Sequence, residues 1–132
     1  MASYAVGRTV DLGFDEAVKK ATEALAKEGF GVLTSIDVKQ TLKAKLDADF
    51  RKYVILGACN PPLAHKALSA DLDVGLLLPC NVTVYEDTPG TSVVTAVAPV
   101  AMLAAAGGST ALDEVSKEAE ARLKRVMTAL EA

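Results

Sequence analysis

Two dipeptides carry the residue types in this chain that could do chemistry, Cys59-Asn60 and Cys80-Asn81. Cys59 closes the apolar stretch Tyr53-Val-Ile-Leu-Gly-Ala58, and Asn60-Pro61-Pro62 follows it. Asn is a good helix N-cap, and prolines are tolerated in a first turn because those N–H groups lack intrahelical partners. Cys59 is therefore expected just before a helix N-terminus. Unpaired N–H groups and the positive helix end stabilise a thiolate there, which favours a nucleophile or a metal ligand. His65 falls about one turn inside the same helix and is the candidate base for Cys59. Cys80 follows Pro79, which reads as the interruption of a buried strand, where free backbone groups could bind a ligand. The ligand-binding candidates are Cys59, Asn60, Cys80, Asn81 and Asp37. Each has a plainer reading beside it. The cysteines are small buried hydrophobes, Asn60 and Asp37 are helix caps, Asn81 is a turn residue, and His65 is a surface histidine.

Several specific chemistries find no support. Structural zinc favours close pairs such as Cys-x-x-Cys, whereas Cys59 and His65 are six apart and Cys80 is distant, so no metal ligands are assigned. No Ser lies in a Gly-x-Ser-x-Gly elbow, and neither Gly-rich phosphate motif is present. The cofactor, if there is one, is unknown. Lys39, Lys43, Lys45, Arg51 and Lys52 are interleaved with Asp47 and Asp49. They read as a solvated face, with an anion site at that helix start as the alternative.

The elements that must position these residues follow from periodicity. Tyr4 to Val10 alternates as a strand. Phe14, Val18, Ala21 and Leu25 share one helical face, with Gly29 as a left-handed cap. Gly31 to Asp37 is a strand, and a short helix from Val38 to Leu46 follows with Asp37 as its cap. Tyr53 to Ala58 is apolar on both faces and reads as a central strand. The helix after Asn60 runs to about Asp71. Gly75-Leu-Leu-Leu78 and Val82 to Glu86 read as strand on either side of Pro79-Cys80-Asn81. Asp87-Thr-Pro-Gly90 is a turn into a hairpin strand, Ser92 to Ala98. Pro99 to Ala105 is a short helix and Gly107-Gly108 a hinge. Leu112, Val115, Ala119, Leu123, Val126 and Leu130 form a terminal amphipathic helix, with Thr110 and Asp113 resembling a capping box. The late strands are joined by turns too short for parallel crossovers. The expectation is an α+β, two-layer fold with helices packed on one face of a mostly antiparallel sheet.

Composition sets the outer limits. The 132 residues suit a single domain, 1–132, and 51% hydrophobic content suffices for one core. A net charge of −3 and only 5% aromatics argue against nucleic acid and anionic membranes as partners. No signal peptide or membrane span is legible, so a cytoplasmic location with reduced cysteines is expected.

Three stretches closely resemble the domain-of-unknown-function 302 family: Gly29-Phe-Gly-Val-Leu-Thr-Ser-Ile-Asp-Val38, Leu56-Gly-Ala-Cys-Asn-Pro-Pro-Leu-Ala-His65 and Leu76-Leu-Leu-Pro-Cys-Asn-Val82. The resemblance implies a small prokaryotic domain with a fold like the TATA-box-binding protein, and a homodimer. It implies no activity. The family motif falls on Asp37, Cys59, Asn60, Pro61, His65, Pro79, Cys80 and Asn81. Members of the family often have an acid where this chain has Ser35, which weakens any reading built on paired carboxylates. Three readings remain. The leading one is a binding or sensing module for a small molecule, metal ion or reactive sulfur species, built on the two Cys-Asn pairs. The second is a thiol enzyme with Cys59 as nucleophile or redox centre, His65 as base and Cys80 as resolving thiol. The third is a structural homodimeric domain with core cysteines.

Overall fold

The computed structural model describes residues 2–107 and 109–131. Five strands form one sheet: β1 (Ala5–Val10), β2 (Gly31–Asp37), β3 (Tyr53–Cys59), β4 (Cys80–Thr88) and β5 (Thr91–Val97). Their order is β1-β5-β4-β3-β2, and every neighbouring pair is antiparallel. The helices are α1 (Phe14–Lys27), α2 (Val38–Leu46), α3 (Pro61–Ala70), α4 (Pro99–Leu103) and α5 (Thr110–Ala129). The expected α+β fold is what forms. β3 lies one place off centre, flanked on both sides, and β4 is the middle strand.

Local chemistry explains most boundaries. Asp15 and Glu16 occupy the first turn of α1, whose small inward residues Ala17, Ala21 and Ala24 let the helix lie close to the sheet. Gly29 holds φ +84° just beyond it, a conformation that costs glycine little. Asp37 caps α2 as expected, its Oδ1 accepting from the Gln40 N–H at 2.9 Å. The hairpin turn is at Pro89-Gly90, with Gly90 at φ +85°.

Three expectations are corrected. Gly75–Leu78 is not strand: Leu72–Leu77 is a 3-10 helix, started by the Asp71 side chain accepting from the Asp73 N–H at 3.0 Å. Pro79 therefore precedes β4 and does not interrupt a strand, and Cys80 is the first residue of β4. The cap of α5 is Ser109, whose Oγ accepts from the Leu112 N–H, and not Thr110. Of the expected hinge, Gly107 has φ +79° and Gly108 lies outside the described residues.

Side chains from one sheet face meet α1 and α5 in the main core, which includes Leu25, Phe30, Val54, Leu56, Val82, Val84, Val94, Leu123 and Val126. Each such large side chain contributes roughly 1.5–3 kcal/mol when buried. A second, smaller core joins Ala67 of α3, Val74, Leu103 of α4, and Leu112 and Val115 of α5. The β2–α2 end differs: no residue of either element is buried. Among the described residues, no helix is long and apolar enough to cross a membrane.

Candidate functional site

The register of β3 against β4 sets the relation between the two cysteines. Ala58 pairs with Cys80, and Gly57 pairs with Asn81. Cys59 and Cys80 thus sit one position out of step at the same end of neighbouring strands. Alternation along β4 sends Cys80 to the side of buried Val82 and Val84. It sends Asn81 to the opposite face, exposed and beside Thr83 and Tyr85.

Cys59, Asn60 and Cys80 line one cleft of about 190 Å³. The cleft lies on the seam between the two cores. Phe30, Ala58 and Ala119 belong to the main core, and Ala67, Leu103 and Val115 to the smaller one. Leu63, Ala64 and Leu68 of α3, Leu33, Leu78, Pro79, Pro99 and Met102 complete the walls. The lining is almost wholly carbon and sulfur.

The thiols have unequal surroundings. Cys59 is half-buried and Cys80 is 8% exposed, and neither is in a disulfide. Burial pushes the Cys80 thiol up from 9.0 to about 11, and the neighbouring Cys59 adds to that shift. Asn60 is fully engaged by the fold. Its Oδ1 accepts from the Leu63 N–H at 3.3 Å, and its Nδ2 donates to the Glu28 carbonyl at 3.5 Å. The same carbonyl accepts from Arg122 Nη1 at 2.9 Å. A Cβ on Gly29 would come within 2.9 Å of Asn60 Nδ2, so this glycine is needed for space as well as for φ.

Gly57 has a related role on the other face. A Cβ there would run into Thr34 Oγ1 and come within 2.9 Å of Pro79 Cγ. The Gly-Ala-Cys-Asn and Leu-Pro-Cys-Asn stretches are thus packed on each other: Pro79 closes over Gly57, and Cys80 lies across from Ala58.

The structure does not gather all the candidates. His65 is exposed on α3 and does not line the cleft, so it is not placed as a base for Cys59. Asp37 is exposed at the far end of β2 and serves α2. Asn81 lies on the opposite sheet face. Among the described residues, no group of three His, Cys, Asp or Glu side chains could hold a metal ion. Beside the cleft, the Lys66 ammonium meets Glu114 at 2.8 Å and holds that carboxyl below its ordinary range, tying α3 to α5. The lining residues missed by sequence reasoning, Met102 and Leu68 among them, are apolar and look like any core position.

The family described as "Domain of unknown function DUF302" matches residues 6–130. The chain is similar to a solved structure of an uncharacterized conserved DUF302 protein from Bacillus stearothermophilus. The two are 32% identical over 97% of this chain and 98% of that one, with a TM-score of 0.87. No curated protein matches.

Proposed function

The chain belongs to the DUF302 family, whose description assigns no activity, and we propose from the site itself that it is a binding or sensing module for a small, soft ligand. One observation carries this reading: two free thiols from adjacent strands line a single apolar cleft that, among the described residues, no other ionisable side chain lines. Its volume of about 190 Å³ compares with the roughly 150 Å³ of an engineered apolar cavity that takes up benzene. The ligand is thus small, with a part that sulfur recognises and a remainder that prefers carbon. Asn60 contributes by holding the cleft wall in place. The thiol-enzyme reading loses its base in this arrangement, because His65 faces away.

A homodimer is part of the same proposal. It is supported by the sheet face opposite α1 and α5, where Tyr53 and Tyr85 stack at 5.4 Å and half-exposed Ile36 lies across from Ile55. Light scattering on the purified chain measures it.

The cleft is tested by labelling the native chain with two maleimides, one small and neutral, the other bearing a charged head group, followed by peptide mass spectrometry. The neutral reagent is expected to modify Cys59 first and to outpace the charged one there. Absence of labelling at both thiols until the chain is unfolded would sink the reading and leave core cysteines.

A further inference from the structure

The cleft holds a third sulfur. Met102 of α4 lines the cleft together with Cys59 and Cys80 from the strand ends. Among the described residues, the only other side-chain polar group in the lining is the Asn60 amide, and both its ends are already used by Leu63 and Glu28. A site whose available side-chain donors are sulfur selects by softness.

Resting on the binding reading above, we propose that this cleft takes a soft monovalent metal ion of the Cu(I) class, held by Cys59 Sγ, Cys80 Sγ and Met102 Sδ. Thiolates and thioethers together favour Cu(I) over the harder divalent ions. Zinc asks for four ligands in a closed site, and the described residues offer no third His, Cys or carboxylate here. Magnesium and calcium ask for several oxygens, and among the described residues the one side-chain oxygen in the lining, Asn60 Oδ1, already accepts from the Leu63 N–H. The two cysteines start close because β3 and β4 pair with Ala58 against Cys80. The unbranched Met102 side chain can adjust its thioether to an ion at the strand ends. The N-terminus of α3, next to Cys59, opposes the negative charge that two thiolates bring. The surrounding carbon keeps water from the ion, the kind of shell that governs solvent access and redox potential at metal sites. Binding changes no oxidation state: each thiol releases its proton to solvent as its sulfur bonds the ion.

The test uses the reduced full-length chain without oxygen, titrated with Cu(I) delivered from a chromophoric chelator. The chain is expected to withdraw one ion, with sulfur as the sole neighbour in X-ray absorption, and excess Zn(II) is expected not to displace it. Met102→Leu keeps the volume nearly constant. It should weaken binding by about tenfold or more, the low end of what losing a supporting group costs at metal sites, and reduce the sulfur neighbours from three to two. Cys59→Ser and Cys80→Ala, checked for folding by circular dichroism, should each lose the ion. Wild-type chain that leaves Cu(I) on the chelator, while Cys59 still reacts with the neutral maleimide, overturns this inference and spares the binding reading. If Cys59 also fails to react, both fall. Unchanged affinity in Met102→Leu overturns the three-sulfur site.

Discussion

Cys59-Asn60 and Cys80-Asn81 are spelled alike and placed differently. The first pair straddles the end of β3 and the start of α3, where the chain changes from a period of two to one of 3.6. Both residues then serve the same place: Cys59 lines the cleft, and Asn60 caps the helix that forms its wall. The second pair opens β4, and alternation separates its members. Cys80 enters the cleft and Asn81 goes to the uncovered face. A Cys-Asn dipeptide is therefore one structural unit at a strand–helix junction and two separated residues at a strand start.

Substitutions and pH can break this contrast, and the largest expected effect belongs to Cys80. Its thiol is raised from 9.0 to about 11, so the folded chain holds that proton more tightly than the unfolded one. The associated stability is complete below pH 9 and is lost as pH rises to about 11. At 1.36 kcal/mol per unit the loss is about 2–3 kcal/mol. Urea midpoints across that range should fall further for the wild type than for Cys80→Ala. Gly57→Ala comes next. The added Cβ meets Thr34 and Pro79, and overpacking of this kind costs about 1–3 kcal/mol. Displacement of Pro79 should also open Cys80 to labelling. Asn60→Ala removes the α3 cap and the contact to Glu28, for a loss of about 1 kcal/mol by denaturant unfolding. Asn81→Ala is expected to change stability by less than about 0.5 kcal/mol, as for an exposed side chain with no hydrogen bond among the described residues. Equal effects at the two asparagines would erase the contrast.

Much of the scaffold is legible from short-range rules. The α1 stripe, the caps at Asp37 and Asn60, and the Pro89-Gly90 hairpin each follow from residues a few positions apart. Gly75–Leu78 misleads because a run of apolar residues does not distinguish a buried strand from a 3-10 turn, and here the Asp71 side chain decides for the turn. Cys59 and Cys80 could be suspected but not joined, since their proximity depends on a register that only the folded sheet sets. That His65 lies outside the cleft lining was within reach. Leu63, Ala64, Ala67 and Leu68 form the inward stripe of α3, and His65 falls outside it. Met102 offered no such signal, because a thioether that lines a site and one that fills a core look the same in a sequence.

In the proposed site, Cys59 and Cys80 open onto one cleft and grip one ligand together. Phenylarsine oxide, a small aromatic reagent whose arsenic bridges two neighbouring thiols, tests this most directly in the native chain. One arsenic per chain is expected by intact mass, joining the Cys59 and Cys80 peptides, with retention lost in Cys59→Ser and in Cys80→Ala. A native chain that labels at Cys59 with the neutral maleimide, yet retains no arsenic, would contradict it.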